Sequence, residues 1–474
     1  MQISVIGAGY VGLTTAACLA ELGHHVLCSD SDYGKLELLH RGSMPFFEPH
    51  LEGIVEKNRK AGRLEFVSTQ VGIEKGNVFF ICVGTPPLEN GDADLAAIES
   101  VARDIAQHAE GYCVVIEKST VPVQTAQRLR RHLSIYRSSN LEYDVVSNPE
   151  FLREGSAVED FFHPARIVVG VESDRATRCM EEIYKLLLGG TVACPLHSTC
   201  PISSRPRFLI TDTSSAELVK HASNSFLAMK ISFSNMVADL CEIVGADVES
   251  VMEGIGLDPR IGASFLRPGI GFGGFCFPKD LQAFVRIAEK FGCDFSLLKE
   301  VEKINKRRIE EFVLKLEREL WVTRGKRVAV WGLSFKPNTD DIRFAPSLAI
   351  IRRLLAQGAE VRAYDPKAMP KSKIEVPELQ CCSDPYAAAN GADAVLILTE
   401  WEEFSAVDWK RVHRLMERPL VVDGRNMFSP EKLQAEGFDY IAIGRAPVYR
   451  IGTRIADVGD RPSETTITPL PLRA

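Results

Sequence analysis

The chain opens on a five-residue apolar run, 2–6, followed at once by glycines. A longer apolar stretch, 13–22, is closed by Gly23, and a second short run, 25–29, ends at Asp30. Short apolar runs bounded by turn residues read as buried strands and longer ones as helices, so these thirty residues predict a βαβ unit. Short runs recur at 77–83, 113–118, 143–147 and 167–171, with helical stretches such as 95–109 between them. Strands alternating with helices predict a mostly parallel sheet.

The pattern changes in the middle. Residues 213–245 read as one long helix, with Leu218, Val219, Phe226, Leu227, Ile231, Phe233, Met236, Val237 and Leu240 nearly all round it. Such a helix is expected to be buried, between domains or in a subunit interface. A second helical block covers 278–318, with a stop near Gly292. The α/β pattern resumes with runs at 327–331, 360–364, 394–398 and 420–422, and with a helical stretch at 346–357. The expected fold is therefore α/β: two Rossmann-like parallel-sheet domains joined by a long central helix and a helical middle domain. The boundaries are placed at 1–205, 206–318 and 319–445, with 446–474 as a flexible tail rich in Pro, Ser and Thr. Residues 194–206 read as a loop insertion. A length of 474 residues agrees with about three domains.

Composition adds mainly exclusions. A net charge of −7 offers no bulk attraction to nucleic acid or to an anionic membrane, so an anionic ligand must be met by local cations and backbone N–H groups. No apolar stretch reaches the roughly 18 residues of a membrane span. No targeting pattern precedes the first strand, and a cytoplasmic location is expected. The 12 cysteines show no CxxC pair and no zinc spacing, so they are expected as reduced thiols, with no metal site.

The first βαβ unit carries Gly7-Ala-Gly9-Tyr10-Val11-Gly12, between strand and helix, with Asp30 at the end of the next strand. Three glycines there allow a tight turn, close approach to a pyrophosphate and close helix–strand packing, while the acid takes the ribose diol. Asp30 would repel a 2′-phosphate, so the cofactor is expected to be NAD. Lys35 is either a ribose contact or a solvated helix residue. Thr85 and Thr120 follow apolar strands, where small hydroxyl residues line a cofactor cleft or cap a helix.

Asn148-Pro-Glu150-Phe151-Leu152-Arg153-Glu154-Gly also follows a strand. Either it is a salt-bridged loop, or Glu150 positions substrate and Glu154 activates water. Lys220 and Asn224, four residues apart on the central helix, share a face. Either Lys220 pairs with Glu217, or Lys220 and Asn224 aim at a developing alkoxide. Cys276 lies in Gly271-Phe-Gly273-Gly-Phe-Cys-Phe-Pro-Lys279-Asp280, where glycines meet a helix start. A helix N-terminus and the adjacent Lys279 are expected to favour its thiolate.

With these blocks, and with Asp258-Pro-Arg260-Ile-Gly, Gly332-Leu-Ser-Phe-Lys336-Pro-Asn-Thr-Asp-Asp341-Ile-Arg343 and Asp423-Gly-Arg425-Asn426, residues 1–445 resemble the UDP-glucose/GDP-mannose 6-dehydrogenases. The resemblance implies a two-fold oxidation of a sugar C6 alcohol to a carboxylate with two NAD, through a thiohemiacetal and a thioester on Cys276. It implies that Lys220 and Asn224 stabilise oxyanions and that Asp280 handles protons. Glu154 becomes a base for hydrolysis that also touches NAD, and Thr120 supports the same water. It places Phe265, Leu266, Arg267, Pro268, Gly269, Gly273, Lys336 and Arg425 around the nucleotide sugar, beside Glu150, Phe151, Leu152 and Arg153. Arg260 would reach across a homodimer, and Lys279 and Arg343 would contact the cofactor. The Cys276 loop looks most like the UDP-glucose branch. GDP-mannose, a UDP-N-acetyl-hexosamine, or a non-catalytic sensor of nucleotide sugars are the alternatives. Gln124, Phe275, Phe344-Ala345 and the insertion near Cys194 depart from the family's pattern.

Overall fold

The computed structural model describes residues 1–190, 194–197, 200 and 205–450. Its first sheet is built from β1 (Gln2–Ile6), β2 (His25–Asp30), β3 (Leu64–Ser68), β4 (Val78–Ile81), β5 (Gly111–Glu117), β6 (Leu141–Ser147), β7 (Arg166–Gly170) and β8 (Arg207–Thr211). The order across the sheet is β3-β2-β1-β4-β5-β6-β7-β8. All neighbours are parallel except β6 and β7, which meet at Ser147 and Gly170. Two elements depart from the sequence reading. The short, half-exposed β3 carries too few apolar residues to stand out. The boundary at 205 also cuts too early, because β8 is still part of this sheet.

The strand order reverses between β1 and β4, and in such sheets the ligand crevice opens beyond the carboxyl ends at that point. The Gly7–Gly12 loop leaves β1 there, and Val83–Thr85, Ser119–Thr120 and Asn148–Glu154 leave β4, β5 and β6 on the same edge. Helices cover both faces, which explains the nearly unbroken apolar runs of the inner strands. Ile3 and Val5 pack into one core, and Ile6, Phe79 and Ile81 into the other.

The second sheet is wholly parallel, in the order β11 (Gln380–Cys381), β10 (Glu360–Tyr364), β9 (Arg327–Trp331), β12 (Ala394–Ile397), β13 (Leu420–Asp423) and β14 (Asp439–Ile441). The edge strands β11 and β14 were not legible as apolar runs. The chain beyond 445 does not leave the domain at once. Val448 bridges to Tyr440, and the Tyr449 hydroxyl bonds to Glu319. The rest of the expected tail lies outside the described residues.

The central helix runs Thr213–Val244, started by the Asp212 side chain and ended at Gly245, whose φ of 76° suits a residue without Cβ. It packs against helices Cys276–Lys290 and Ser296–Leu320, which separate around Gly292. It is not buried all round, as its apolar content suggested. Leu218, Phe226, Phe233, Met236, Leu240 and Ile243 are exposed, while Lys220, His221, Asn224, Ser232 and Asn235 face inward. The apolar stripe points away from the chain's own core, and the polar face points toward the candidate site.

Candidate active site

Three elements converge on Cys276. It is the first residue of helix Cys276–Lys290, with Pro278 in the first turn, where an N–H has no helical partner. Asp280, four residues on, lies on the same helix face. The central helix supplies Lys220 and Asn224, both buried, and the loop after β6 supplies Glu150. Lys220 Nζ pairs with Glu150 Oε1 at 2.8 Å, with both side chains almost wholly buried. Asn224 Nδ2 donates to Asp280 Oδ2 at 2.6 Å, and Lys279 Nζ lies 2.7 Å from Asp280 Oδ1. Glu217 does not pair with Lys220. It accepts the backbone N–H groups of Gln124 and Ala126 at 2.6 and 2.8 Å, tying the central helix to the loop after β5. Gln124 takes a φ of 73° there, where the family pattern has glycine.

The electrostatics correct one expectation. Desolvation, with the carboxylates of Asp280 and Glu150, outweighs Lys220 and pushes the Cys276 thiol up to about 12. The half-buried residue therefore rests as a thiol, and the helix N-terminus does not overcome two carboxylates. Burial opposes the charge of Lys220, but Glu150 and Asp280 raise its pKa, so it is a fixed cation. Burial works against the Asp280 carboxylate too, yet Lys279, Lys220 and His221 hold it below the usual range. The site thus stores a neutral thiol beside an ionised carboxylate and an ammonium group.

The nucleophile loop is held from the C-terminal domain. Gly274 N–H donates to the Arg343 carbonyl at 2.9 Å. A Cβ at Gly273 would stand 2.4 Å from the Phe344 carbonyl oxygen, so only glycine allows this approach. Arg425 reaches the carbonyls of Gly271 and Phe335 at 3.3 and 3.1 Å, clamping the loop to the second sheet. Phe275, a departure from the family's pattern, lies beneath the Arg343 guanidinium at 4.4 Å from its ring centre, and Lys279 Nζ lies 5.5 Å away. A cation–π contact thus occupies that position. The aromatic rings of Phe265 and Phe272 flank Phe277, and Gly269 N–H bonds Asn235 at 2.8 Å. Leu266 and Pro268 are buried beside them, while Arg267 is exposed.

Glu154 stands at the mouth of a second area, a cleft of about 430 Å³ lined by Tyr10, Phe46, Asp341 and Arg343. Desolvation and the neighbouring Asp341 raise its pKa to about 8, against Arg343 3.4 Å away and Lys336. Arg343 forms a fork on Asp341 at 2.6–3.0 Å. Lys336 is half-buried, and burial lowers its pKa although Glu154 and Cys276 pull the other way.

The residues of the Gly7–Gly12 loop fit a dinucleotide. Cβ atoms at Gly7 and Gly12 would stand 2.6 Å from the Cys82 carbonyl and 1.8 Å from the Gly7 carbonyl, whereas one at Gly9 would meet open space. The first two distances enforce the tight turn, and the third leaves room for phosphate at the start of helix Tyr10–Glu21. Asp30 accepts from Ala8 N–H and Lys35 Nζ, both at 2.8 Å. Burial opposes its charge, but these donors and Asp32 N–H keep its pKa below the usual range. Val11 lies beside Tyr10 on that first turn. The Thr85 hydroxyl donates to the Thr120 carbonyl at 2.9 Å, joining the ends of β4 and β5.

Several expected site residues are engaged with neighbouring side chains. Lys279 is buried and paired with Asp280. Arg153 is exposed and bidentate on Asp160, and Arg260 is 88% exposed, paired with Asp258 at 2.6 Å. Phe151 and Leu152 line, with Glu150, Lys118 and Arg166, a cleft of about 280 Å³, and Lys220 Nζ lies 5.6 Å from the Phe151 ring centre, so this cleft adjoins the Cys276 cluster. Arg166 stacks over the Phe151 ring at 4.0 Å.

Two positioning residues were missed. Glu48 is buried and accepts the N–H groups of Gly155 and Ala157 at 2.6 and 2.7 Å and the Tyr10 hydroxyl, so it ties the Glu154 loop to the dinucleotide loop. Lys118 is buried at the end of β5, 3.2 Å from Asn148 Oδ1, and burial lowers its pKa. An acid buried outside any strand end carries no local signal. Lys118, following five buried residues of β5, was the one available hint.

Three successive domain models of the UDP-glucose/GDP-mannose dehydrogenase family match the chain: the NAD binding domain over residues 1–188, the central domain over 214–307 and the UDP binding domain over 329–430. Among similar proteins, UDP-glucose 6-dehydrogenase TuaD of Bacillus subtilis is 42% identical, covering 99% of this chain and 97% of its own. UDP-glucose 6-dehydrogenase of Rhizobium meliloti is 44% identical over 94% of this chain and all of its own. A solved UDP-glucose dehydrogenase from Pyrobaculum islandicum superposes with a TM-score of 0.84 at 37% identity, covering 94% of this chain and 98% of that one. The first sheet with its glycine loop is thus an NAD-binding domain, and the chain belongs to the UDP-glucose/GDP-mannose dehydrogenase family of NAD-dependent oxidoreductases.

Proposed function

We propose that this chain oxidises UDP-glucose at C6 to UDP-glucuronate, a four-electron reaction consuming two NAD⁺ and one water. The observation that carries it is the joining of Cys276, Asp280, Asn224 and Lys220 into one buried cluster beside the NAD-binding crevice. NAD, held by the Gly7–Gly12 loop and Asp30, supplies the hydride acceptor for both oxidations. Lys220 stabilises the oxyanion that develops at O6 as the alcohol proton passes to the Asp280 carboxylate and on to solvent, which leaves Asp280 ionised for the next step. The resulting aldehyde has no readily lost hydride. Cys276 sulfur adds to its carbon, and the thiol proton passes to the Asp280 carboxylate, giving a thiohemiacetal whose C–H can be oxidised. Loss of hydride leaves a thioester on Cys276. Glu154, partly deprotonated near neutrality, or Asp280 takes a proton from the attacking water, and the carboxylate leaves with the thiol restored.

The substrate follows from the relatives and from the UDP-glucose-like Cys276 loop. Counting NADH against a panel of UDP-glucose, GDP-mannose and UDP-N-acetyl-hexosamines tests it. Two NADH per UDP-glucose, with lower initial rates on the others, is the expected outcome. One NADH per sugar, or none, would refute the thioester route.

We further propose that the chain works as a homodimer through the exposed stripe Phe226, Phe233, Met236, Leu240 and Ile243. Five large apolar groups on one helix face are costly in water and are the material of an obligate interface. Arg260, exposed within one chain, would then reach the partner's substrate. Phe233→Asp is expected to sediment as a monomer at concentrations where the parent is dimeric. A monomeric parent would refute the assignment.

No helix among the described residues is long and apolar enough to cross a membrane. The reading includes a cytoplasmic location, where UDP-sugar and NAD are both available and thiols stay reduced.

A further inference from the structure

Away from the Cys276 cluster, the segment before β8 brings three soft ligands to a fourth from an earlier loop. Cys194, His197 and Cys200 come from this segment, and His163 caps the helix Ala157–Phe162. One ligand atom from each of the four lies within 4.8 Å of all the others. His163 Nε2 is 3.1 Å from Cys194 Sγ and 3.4 Å from Cys200 Sγ, and His197 Nδ1 is 3.3 Å from Cys194 Sγ. His163 Nδ1 is farther from Cys200, at 3.9 Å, so Nε2 is the nitrogen facing both sulfurs. The two imidazole rings are tilted by 41° with centroids 6.2 Å apart, so they do not stack. They converge through their edges, as ligands to a common point do.

The spacing can be checked against a metal. With Zn–S of about 2.3 Å and Zn–N of about 2.0 Å, a tetrahedral ion holds S and N donors roughly 3.5 Å apart. The observed separations of 3.1–3.4 Å are at most a few tenths of an ångström short of that, so small side-chain movements would seat the ion. Thiol–imidazole hydrogen bonds alone are a weak reason to bring two cysteines and two histidines together, because S–H is a poor donor. Two thiolates would balance a divalent cation, so the site needs no further counter-charge. A two-sulfur, two-nitrogen set suits zinc, and an iron–sulfur centre with the same set puts its cysteines and histidines on different irons, whereas here each sulfur lies within 4.8 Å of each nitrogen, as around one ion.

We propose that His163, Cys194, His197 and Cys200 hold a structural zinc ion. Four protein ligands close the coordination shell, so the ion has no open position for substrate and takes no part in the oxidation. Its work is mechanical. His163 also walls the cleft that contains Glu150, Phe151, Arg153 and Arg166, so the ion staples the inserted segment to the far side of the loop holding the Glu150–Lys220 pair. Little in the local pattern points to this site. The spacing is Cys-x2-His-x2-Cys rather than a pair of CxxC units, and the fourth ligand lies 31 residues upstream of Cys194.

Metal analysis of the full chain, purified without chelator from zinc-supplemented cells, is expected to give one zinc per chain. Cys194→Ser with Cys200→Ser should lower it more than tenfold. Cobalt(II) added to the zinc-stripped parent should give the intense visible bands of a tetrahedral ion and a thiolate charge-transfer band, both missing in the double variant. Chelator should lower the unfolding temperature of the parent but not of the variant. A folded parent that carries no zinc and binds cobalt only with the weak spectrum of an octahedral ion would overturn the site. So would a Cys194–Cys200 disulfide in the protein as isolated. If the double variant does not fold, the parent's cobalt spectrum decides alone.

Discussion

Cys276→Ser is expected to lower steady NADH production by at least about 10³-fold, a rise of about 4 kcal/mol in the barrier. The first oxidation needs only the alcohol, Lys220 and NAD, so the variant keeps a route to the aldehyde. The second needs a carbon that can surrender hydride, and serine makes it poorly. Its hydroxyl is harder to deprotonate than the thiol, and Asp280, held below the usual carboxylate range, is a weak base for that purpose. Any ester that formed on serine would hydrolyse more slowly than a thioester. The readout is a burst of no more than two NADH per active site followed by little or no turnover. Alkylation adds a check. Because the thiol sits near 12, the rate of Cys276 modification in the free enzyme should keep climbing through pH 9 without a plateau. Unchanged turnover in the serine variant, or a plateau near neutral pH, would refute the nucleophile or its protonation state.

The contrast between expectation and structure at this loop has a physical cause. The glycines, the helix start and Asp280 were legible because each is a local pattern: a turn, a cap and an i,i+4 neighbour. The two Rossmann-like halves were legible for the same reason, since period and run length are local. The thiol's raised pKa was not legible, because it depends first on burial and, after Asp280, on Glu150, 126 residues away in the chain. Lys220 shows the same limit. Its i,i+4 relation to Asn224 was readable, but its partner proved to be Glu150 rather than Glu217, which bonds to backbone N–H groups instead. The stripe on the central helix is legible as apolar, but an apolar residue does not encode whether its own chain or a second one will cover it. Glu48 and the His163–Cys194–His197–Cys200 group were missed because their partners meet only in three dimensions.

Lys220→Met is expected to cost about 10²–10³-fold in kcat with little change in KM, the loss seen when one donor to an oxyanion is removed from a dry site. Methionine keeps most of the volume, so the change isolates the charge. It also leaves Glu150 buried without its cation at 2.8 Å, and breaking a buried pair by removing one partner costs roughly 3–5 kcal/mol of stability. The two consequences separate in a double variant. Lys220→Met with Glu150→Gln removes the stranded charge, so the unfolding temperature should recover most of its loss while kcat stays low. If kcat recovered along with stability, Lys220 would be a structural partner of Glu150 and nothing more. If the single variant raised KM and left kcat intact, it would bind substrate without acting on the developing charge. The same lysine opposes Asp280 and Glu150 at Cys276, so its removal should push the thiol higher still and slow alkylation at any fixed pH. One side chain would then link three measurements: turnover, stability and thiol reactivity. A buried ion pair that served only the fold would move the second alone.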